Sequence, residues 1–247
     1  MTLTSLYNHK TVRKYTSQPI PDDTLRKILL AGIRGSNTGN MQLYSIVVTS
    51  DAETKKRLSP AHFGQPMIEN APVVMTICAD LNRVSKWCEA RKADKAFYNF
   101  ESFITATIDA TIVAQNIALA AEEDGLGICY LGTTTYNPEQ IAEVLQLPKA
   151  VVPITTLTIG YPAEKPDLTE RLPLEAVIHY DTYKDYSSED IDRYYAEKEA
   201  NPENQKFVEQ NNKETLAQVF AEVRYPRSAA EDFSRKVVNI LRNQGLL

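Results

Sequence analysis

Apolar and polar positions in the first 180 residues of the chain follow two periods, one typical of helices and one typical of strands. Apolar residues recur at helical spacing over 25–33, just after Asp22 and Asp23. Because acidic side chains favour the positive end of the helix dipole, these two residues predict a helix start. A polar loop follows over 35–40, and residues 44–49 form a predicted strand.

Further along, the pattern predicts a short helix over 51–58 and three more strands, over 73–79, 127–131 and 154–161. The strand over 73–79 is apolar on both faces, which is typical of a central strand. Asn137 and Pro138 predict another helix that begins at residue 138 and ends before Pro148.

The longest predicted helix covers residues 101–124 and is apolar almost all round, which predicts burial. Gly125 is expected to end it. Alanines stand at every fourth position, at 106, 110, 114 and 118. Two interpretations remain open for them. Alanine is a good helix former, or the stripe allows close approach to another helix, including one across a dimer interface.

From about residue 181 the chain becomes rich in Tyr, Glu, Lys, Asn and Gln. The segment 181–247 is therefore predicted to be a mostly helical, core-poor extension of a single domain whose core is about 1–180. A helix over 229–241 is expected, with Phe233, Val237, Ile240 and Leu241 on one face.

Composition narrows the function classes. The chain has 247 residues, 43% of them hydrophobic, which suffices for one sizeable core. Its net charge of −5 argues against nucleic-acid binding, which needs a basic face. No apolar run is expected to reach the roughly 20 residues of a membrane-spanning helix, and residues 1–7 lack the features of a signal peptide. Three widely spaced cysteines disfavour a disulfide framework, so we expect a cytoplasmic protein.

Several chemistries are disfavoured by their missing motifs. The histidines lack HExxH spacing and the cysteines form no CxxC pair, so a zinc site is not predicted. GxSxG, GxGxxG and Walker A motifs are also missing from the sequence. Cys129 is interpreted as a small buried hydrophobe.

Two arginines stand out as candidate anion ligands. Arg13 lies in a basic run before the first predicted helix, and Arg171 lies in a loop near the end of the predicted core. A guanidinium group matches phosphate oxygens and stays charged at any working pH. From their placement alone, both a shared phosphate site and two solvated surface arginines remain open.

Five segments, taken in order, resemble the FMN-dependent nitroreductase and flavin reductase family. They are HKTVRKY at 9–15, GSNTGNMQ at 35–42, GQ at 64–65, GLGICYLG at 125–132 and RLP at 171–173. The resemblance covers nearly the whole chain and is strongest to the branch that contains the oxygen-insensitive NADPH nitroreductases and the luminous-bacterial flavin reductases. It implies an α+β nitroreductase fold, with a mostly antiparallel central sheet flanked by helices.

The resemblance also implies an FMN cofactor and assigns residues to it. His9, Lys10, Thr11 and Arg13 would hold the phosphate and ribityl chain, and Arg171 would meet the phosphate from the other side. The implied flavin-ring contacts come from three further segments: Asn37 and Gly39; Gln65, Pro66 and Met67; and Tyr130, Leu131, Gly132 and Thr133. A backbone N–H of the last segment would point at the flavin N5.

Alternatives and departures accompany these assignments. Loop capping remains open for Asn37, and simple solvation remains open for Gln65. The chain has Thr169 where many relatives have lysine, and Thr133 where relatives often have a second glycine. A β-branched residue restricts the backbone, which puts the N5 contact in question.

The implied reaction is a ping-pong hydride transfer. NAD(P)H would reduce FMN and leave, and a small-molecule electron acceptor such as a nitroaromatic, a quinone or a free flavin would take the electrons. The implied assembly is a homodimer in which the C-terminal extension wraps the partner subunit. Reductive dehalogenation and flavin storage without turnover are the alternatives.

The nicotinamide donor is the remaining question at this stage. Relatives that prefer NADPH carry an arginine in a mobile C-terminal loop. The corresponding stretch here, 195–206, has three glutamates and no arginine. Acidic side chains repel the adenosine 2′-phosphate, whereas Lys198 and Lys206 can still attract it. We therefore expect NADH and NADPH to be used at comparable rates.

Overall fold

The computed structural model describes residues 3–247. Met1 and Thr2, the first residues of the stretch 1–7 considered above for a signal peptide, lie outside the described residues. The chain divides into two compact units. The first comprises the residues up to Asp167 together with Phe233–Leu247, and the second comprises Leu168–Asp232. The single-domain organisation stays a prediction.

The strands form one sheet in the order β1-β2-β4-β3, with every neighbouring pair antiparallel. Their bounds are β1 (Tyr44–Thr49), β2 (Val73–Asp80), β3 (Gly127–Leu131) and β4 (Val151–Gly160). β2 is central and buried along its whole length, as its apolar pattern predicts. The predicted α+β class with a mostly antiparallel sheet is confirmed.

β4 begins earlier than the sequence predicts, at Val151. The reason is Pro153, which lies inside the strand opposite Cys78 and beside a bulge between Ile77 and Cys78. Proline cannot donate a ladder hydrogen bond and is tolerated at bulges. The hydrophobic pattern therefore suggests a start just after the proline, whereas the bulge lets the strand continue through it.

Helices are present at each of the five positions that the sequence predicts, whereas the helices over 3–7, 66–70 and 82–90 are not predicted. Their bounds are α1 (Leu3–Tyr7), α2 (Asp22–Gly32), α3 (Ala52–Leu58), α4 (Pro66–Asn70), α5 (Asn82–Ala90), α6 (Phe100–Glu123), α7 (Pro138–Val144), α8 (Ser188–Ala200), α9 (Pro202–Gln210), α10 (Leu216–Gln218) and α11 (Arg227–Gln244). Asn137 precedes α7 as predicted, but its side chain donates to the Ala61 carbonyl instead of capping the helix.

The long helix α6 packs against β2, β4 and α2. The alanines at 106, 110, 114 and 118 are at most 1% exposed, and they face the core of their own chain. The interpretation of this stripe as a dimer contact is therefore wrong. Gly125 follows the helix with φ +77°, and the Leu126 N–H returns to the Ala121 carbonyl, so the predicted stop is confirmed.

Burial of α6 is one-sided, because Ile104 and Ile108 on its other face are 43% and 55% exposed. By length and composition alone, α6 is apolar enough to cross a membrane, contrary to the expectation from inspection of the sequence. The side chains that make it so apolar include the alanines and valine of the core face. We therefore interpret α6 as the core helix of the first unit.

The C-terminal segment is helical, as predicted. In the second unit, α8 begins with a capping box in which Ser187 and Asp190 bond reciprocally, and neither α8 nor α9 has a buried residue. In the first unit, the later part of α11 buries Ile240 and Leu241 at 2% exposure each. Val237 packs against the same cluster, which confirms the predicted face.

The crossing of α2 and α6 depends on the missing side chain of Gly32. A Cβ at this position would come within 2.4 Å of the Ile117 Cγ1 atom. Alanine normally favours a helix over glycine by about 1 kcal/mol. We expect Gly32→Ala instead to lower the free energy of unfolding by about 1–3 kcal/mol through overpacking, as measured by urea denaturation. The cost should largely vanish in an Ile117→Ala background; persistence there would contradict steric overlap.

Candidate active site

The segment that carries Thr11 and Arg13 lies along the edge strand β3. Thr11 forms a parallel bridge with Ile128, and the Val12 N–H donates to the Ile128 carbonyl at 2.9 Å. Gly127 permits this approach, because a Cβ there would lie 2.6 Å from the Val12 Cβ. The first and fourth motifs of the sequence are therefore neighbours in space.

Tyr15 fastens this segment to the sheet. Its hydroxyl donates to the Val12 carbonyl at 2.6 Å and lies 2.8 Å from the Thr158 hydroxyl on β4. Burial raises the pKa of Tyr15 well above its usual value, so the phenol remains a donor at any working pH. The resemblance includes Tyr15 in its first motif but gives it no role; the structure supplies one.

Glu164 holds the backbone at Arg13. One of its oxygens, Oε1, accepts from the Arg13 and Lys14 N–H groups at 2.7 and 3.1 Å. These backbone donors, Arg13 first, lower the pKa of Glu164, which keeps the carboxylate ionised. The Arg13 side chain is exposed, and no carboxylate of the described residues forms an ion pair with it. Its guanidinium is thus free to meet an anion.

His9 contacts an acidic side chain through one of its ring nitrogens, whereas Lys10 forms no such ion pair within the described residues. The His9 Nδ1 atom lies 2.7 Å from the Oε1 atom of Glu122, in the last turn of α6. Lys10 is half-buried and lines a cavity of about 290 Å³ together with Glu122 and Gly127. Glu122 is not predicted from the sequence, because a glutamate at a helix end carries no distinguishing pattern.

The loop of the second motif is held by a buried acid. The Thr38 and Leu43 N–H groups donate to the two carboxylate oxygens of Asp109 at 2.9 and 3.3 Å, and Asp109 is 1% exposed. The Asn37 Oδ1 atom accepts from the Gln42 N–H at 3.1 Å, which is the loop-capping role that the sequence left open. Gly39 has a φ of +56° in the same loop. The sequence offers one clue to Asp109: it is an acid in the middle of an otherwise apolar helix.

A buried histidine just before the third motif contacts the residue that follows the fourth. His62 is 0% exposed, and its Nδ1 atom lies 2.8 Å from the Thr133 hydroxyl. Its Nε2 atom is buried and has no partner among the described residues. Thr133 follows β3 in a 3-10 turn, Gly132–Thr135, and is not among the residues with positive φ. The β-branched side chain is therefore accommodated without left-handed strain.

The remaining predicted ring contacts differ in how accessible they are. Gln65 is half-buried at the start of α4, with Pro66 exposed in the first turn, whereas the Met67 side chain is buried in a core cluster. Leu131 belongs to that same cluster. Met67 and Leu131 can therefore offer only backbone atoms to a ligand.

The end of β3 combines one open position with two fixed ones. At Gly132, no atom lies within 4 Å of the position that a Cβ would take. The Tyr130 hydroxyl donates to the Gln115 amide oxygen at 3.2 Å. The Thr134 hydroxyl donates to the Leu131 carbonyl at 2.8 Å, which fixes the turn after the strand.

Arg171 lies in the second unit, within its own loop. Its Nη1 atom donates to the carbonyls of Thr169 and Glu170, at 3.1 Å each. Thr169 thus serves the loop through its backbone, which any residue type could do. The joint grip of one phosphate by Arg13 and Arg171 stays a prediction.

His62 makes the stability of the fold sensitive to acid. Burial lowers its pKa from 6.5 to about 4. As the pH falls below 6.5, His62 becomes protonated in the unfolded chain but stays neutral in the folded chain. The free energy of unfolding therefore decreases until about pH 4, where the folded chain is protonated as well. We expect urea denaturation at pH 7 and pH 5 to show about 2 kcal/mol less acid loss in His62→Gln than in the natural protein. Parallel losses in the two proteins would contradict a buried neutral His62.

Comparison with known proteins shows the family to which the chain belongs. The Nitroreductase family model matches residues 6–161. An FMN reductase (NADPH) of Bacillus subtilis is 35% identical over 184 residues, which cover 74% of each chain. An oxygen-insensitive NADPH nitroreductase of Salmonella typhimurium is 33% identical over 193 residues, covering 78% of this chain and 79% of the relative.

The solved structures extend the likeness to the second unit. A protein of Bacteroides fragilis, described only as an oxidoreductase, is 52% identical with a TM-score of 0.97, and 98% of each chain is covered. The family and branch that the five motifs suggested are thereby confirmed. The chain is an enzyme of the nitroreductase family.

Proposed function

We propose that the protein is an FMN-dependent NAD(P)H oxidoreductase that reduces nitroaromatics, quinones or free flavins by a ping-pong mechanism. The observation that carries this proposal is the meeting of two motifs at one sheet edge. The basic run that ends in Arg13 lies beside β3, and β3 leads to the open position at Gly132. Relatives named as an FMN reductase and an oxygen-insensitive nitroreductase are 35% and 33% identical to this chain.

The residues at this edge fit FMN. Lys10 and Arg13 flank the two residues whose backbone lies against Ile128, so two cationic residues lie near the start of β3, where we propose the phosphate. From Ile128 to Gly132, β3 advances about 13 Å at roughly 3.3 Å per residue. FMN likewise carries its phosphate at one end of an extended ribityl chain and its ring at the other. When bound, FMN supplies the hydride chemistry, and the protein supplies binding and orientation.

The chain's own groups then have separate tasks in the proposal. Lys10 and Arg13 bind the phosphate, with His9 and Arg171 as further ligands. The Gly132–Thr135 turn offers backbone N–H groups to the ring, and Gly132 keeps the approach open. The Thr133 hydroxyl forms a hydrogen bond with His62, so we do not propose it as a flavin ligand.

The assembly we propose is a homodimer, with the helical C-terminal extension around the partner subunit. Support comes from the outer face of α6, where Phe100, Ile104 and Ile108 are between 43% and 55% exposed. Large exposed apolar side chains in a row favour a protein contact. A cytoplasmic location is proposed as well, since the three cysteines are free thiols.

Either nicotinamide donor is compatible with the second unit. Lys198 Nζ and the Arg224 guanidinium carbon each lie 5.4 Å from the centre of the Phe220 ring, and Arg224 also lies 5.4 Å from that of Phe207. Arg224 thus brings an arginine close to the stretch 195–206, which has none in sequence. Both cations offset the glutamates of that stretch, so NADPH is proposed to bind alongside NADH.

The direct experiment is to watch the flavin. We expect purified protein reconstituted with FMN to bleach with NADH and with NADPH at rates within about tenfold of each other, which is about 1.4 kcal/mol of discrimination. Nitrofurazone or a quinone should restore the colour. Protein that holds FMN but never bleaches would instead indicate flavin storage, and bleached protein that fails to react with any such acceptor would point to a more specialised reaction.

The phosphate ligands can be tested separately. Arg13→Ala and Arg171→Ala should each weaken FMN binding by about 1.5–3 kcal/mol, because each removes a charge-assisted contact. Flavin fluorescence titration measures the loss, and Arg57→Ala, on the exposed last turn of α3, serves as the matched control. Unchanged FMN binding in both variants would contradict the proposed phosphate site.

A further inference from the structure

Glu122 stands behind one of the proposed phosphate ligands. It lies in the last turn of α6, with its side chain 13% exposed, and its Oε1 atom is 2.7 Å from the His9 Nδ1 atom. Within the described chain, His9 is the only basic residue whose side chain pairs with it. The contact joins positions 113 residues apart in sequence.

Apart from the contact with His9, three features of the position of Glu122 disfavour an ionised carboxylate. Its second oxygen, Oε2, is buried and has no partner among the described residues. Burial raises the pKa of Glu122, and the hydrogen bond and charge of His9 oppose this rise. The C-terminal end of a helix also carries partial negative charge, which disfavours an anion. Among the described residues, His9 therefore provides the only hydrogen bond or ion pair of the Glu122 side chain.

This pairing decides how His9 presents its ring. An ionised carboxylate can only accept a hydrogen bond, so the Nδ1 atom of His9 carries the proton. A hydrogen bond at one ring nitrogen fixes both the tautomer and the orientation of the ring, and it leaves the other nitrogen for a ligand. His9 is 30% exposed, so the rest of its ring is accessible.

We propose that Glu122 is a positioning residue that orients His9 toward the phosphate of the flavin. The inference rests on the proposed function, because it needs FMN at the edge of β3. The alternative, a direct action of Glu122 on the phosphate, predicts the opposite change in FMN affinity. If Glu122 acted on the phosphate directly, two negative groups would repel, and removing the glutamate charge would tighten FMN binding.

The test compares two ligands that differ only in the phosphate. Glu122→Gln keeps the size of the side chain but removes its charge and can donate as well as accept. We expect its dissociation constant for FMN to rise about fivefold, the size of one typical hydrogen-bond contribution. The reason is that an amide can bond to Nδ1 with or without a proton, so it no longer fixes the tautomer of His9. The constant for riboflavin, which lacks the phosphate, should change less than twofold. Fluorescence quenching gives both values without any turnover.

Two further variants keep the result specific. Glu123→Gln removes the same charge one residue further on, where the carboxylate accepts from Ser5, and it should leave both constants unchanged. In a His9→Ala background, Glu122→Gln should have no additional effect on FMN, because Glu122 acts only through His9. If the glutamine variant folds poorly, Glu122→Ala serves in its place, because it removes the contact with His9 altogether.

Each contrary result overturns the inference in its own way. Tighter FMN binding by Glu122→Gln would indicate direct repulsion, and equal losses for FMN and riboflavin would indicate a merely structural role. Unchanged binding of both ligands would show that Glu122 is irrelevant to the site. If the natural protein itself bound no FMN, the proposed function would fall first, and the titration of the natural protein shows this separately.

Discussion

The packing of one helix, α6, against the sheet is the interaction on which the candidate site depends. Its alanine face lies on β2 and β4 with almost no exposed surface, which fixes the helix closely against the strands. Three of its polar side chains then reach the segments that carry the motifs. Asp109 holds the 35–42 loop, Gln115 bonds to Tyr130 and Glu122 bonds to His9.

This arrangement explains why so apolar a helix carries buried polar groups. A buried carboxylate without partners is strongly destabilising, whereas one that accepts two backbone N–H groups is compensated. Asp109 meets two such donors, so the loop and the helix depend on each other. Glu122 has only His9, which leaves it less compensated than Asp109 and more dependent on its partner.

The sequence predicts most of this fold because its periodic patterns are local. The bounds of β1 and β3 and the start of α2 follow from neighbouring residues alone. The alanine stripe shows the limit of such patterns. Its spacing predicts that the alanines share one helix face, but it does not predict which part of the protein packs against that face. Pro153 shows another limit, because a bulge depends on the partner strand and not on the strand itself.

The site shows the same division. Motif resemblance points to His9, Arg13 and Thr133, but their partners Glu122, Glu164 and His62 are found only in three dimensions. His62 and Thr133 make the point most sharply. A threonine in place of a glycine looks like a loss of backbone freedom when it is read alone. Beside a buried histidine 71 positions away, the same hydroxyl forms a contact between the segments that flank two motifs. A departure from the family pattern is therefore best judged together with the residue that compensates for it, and here that residue is distant in sequence.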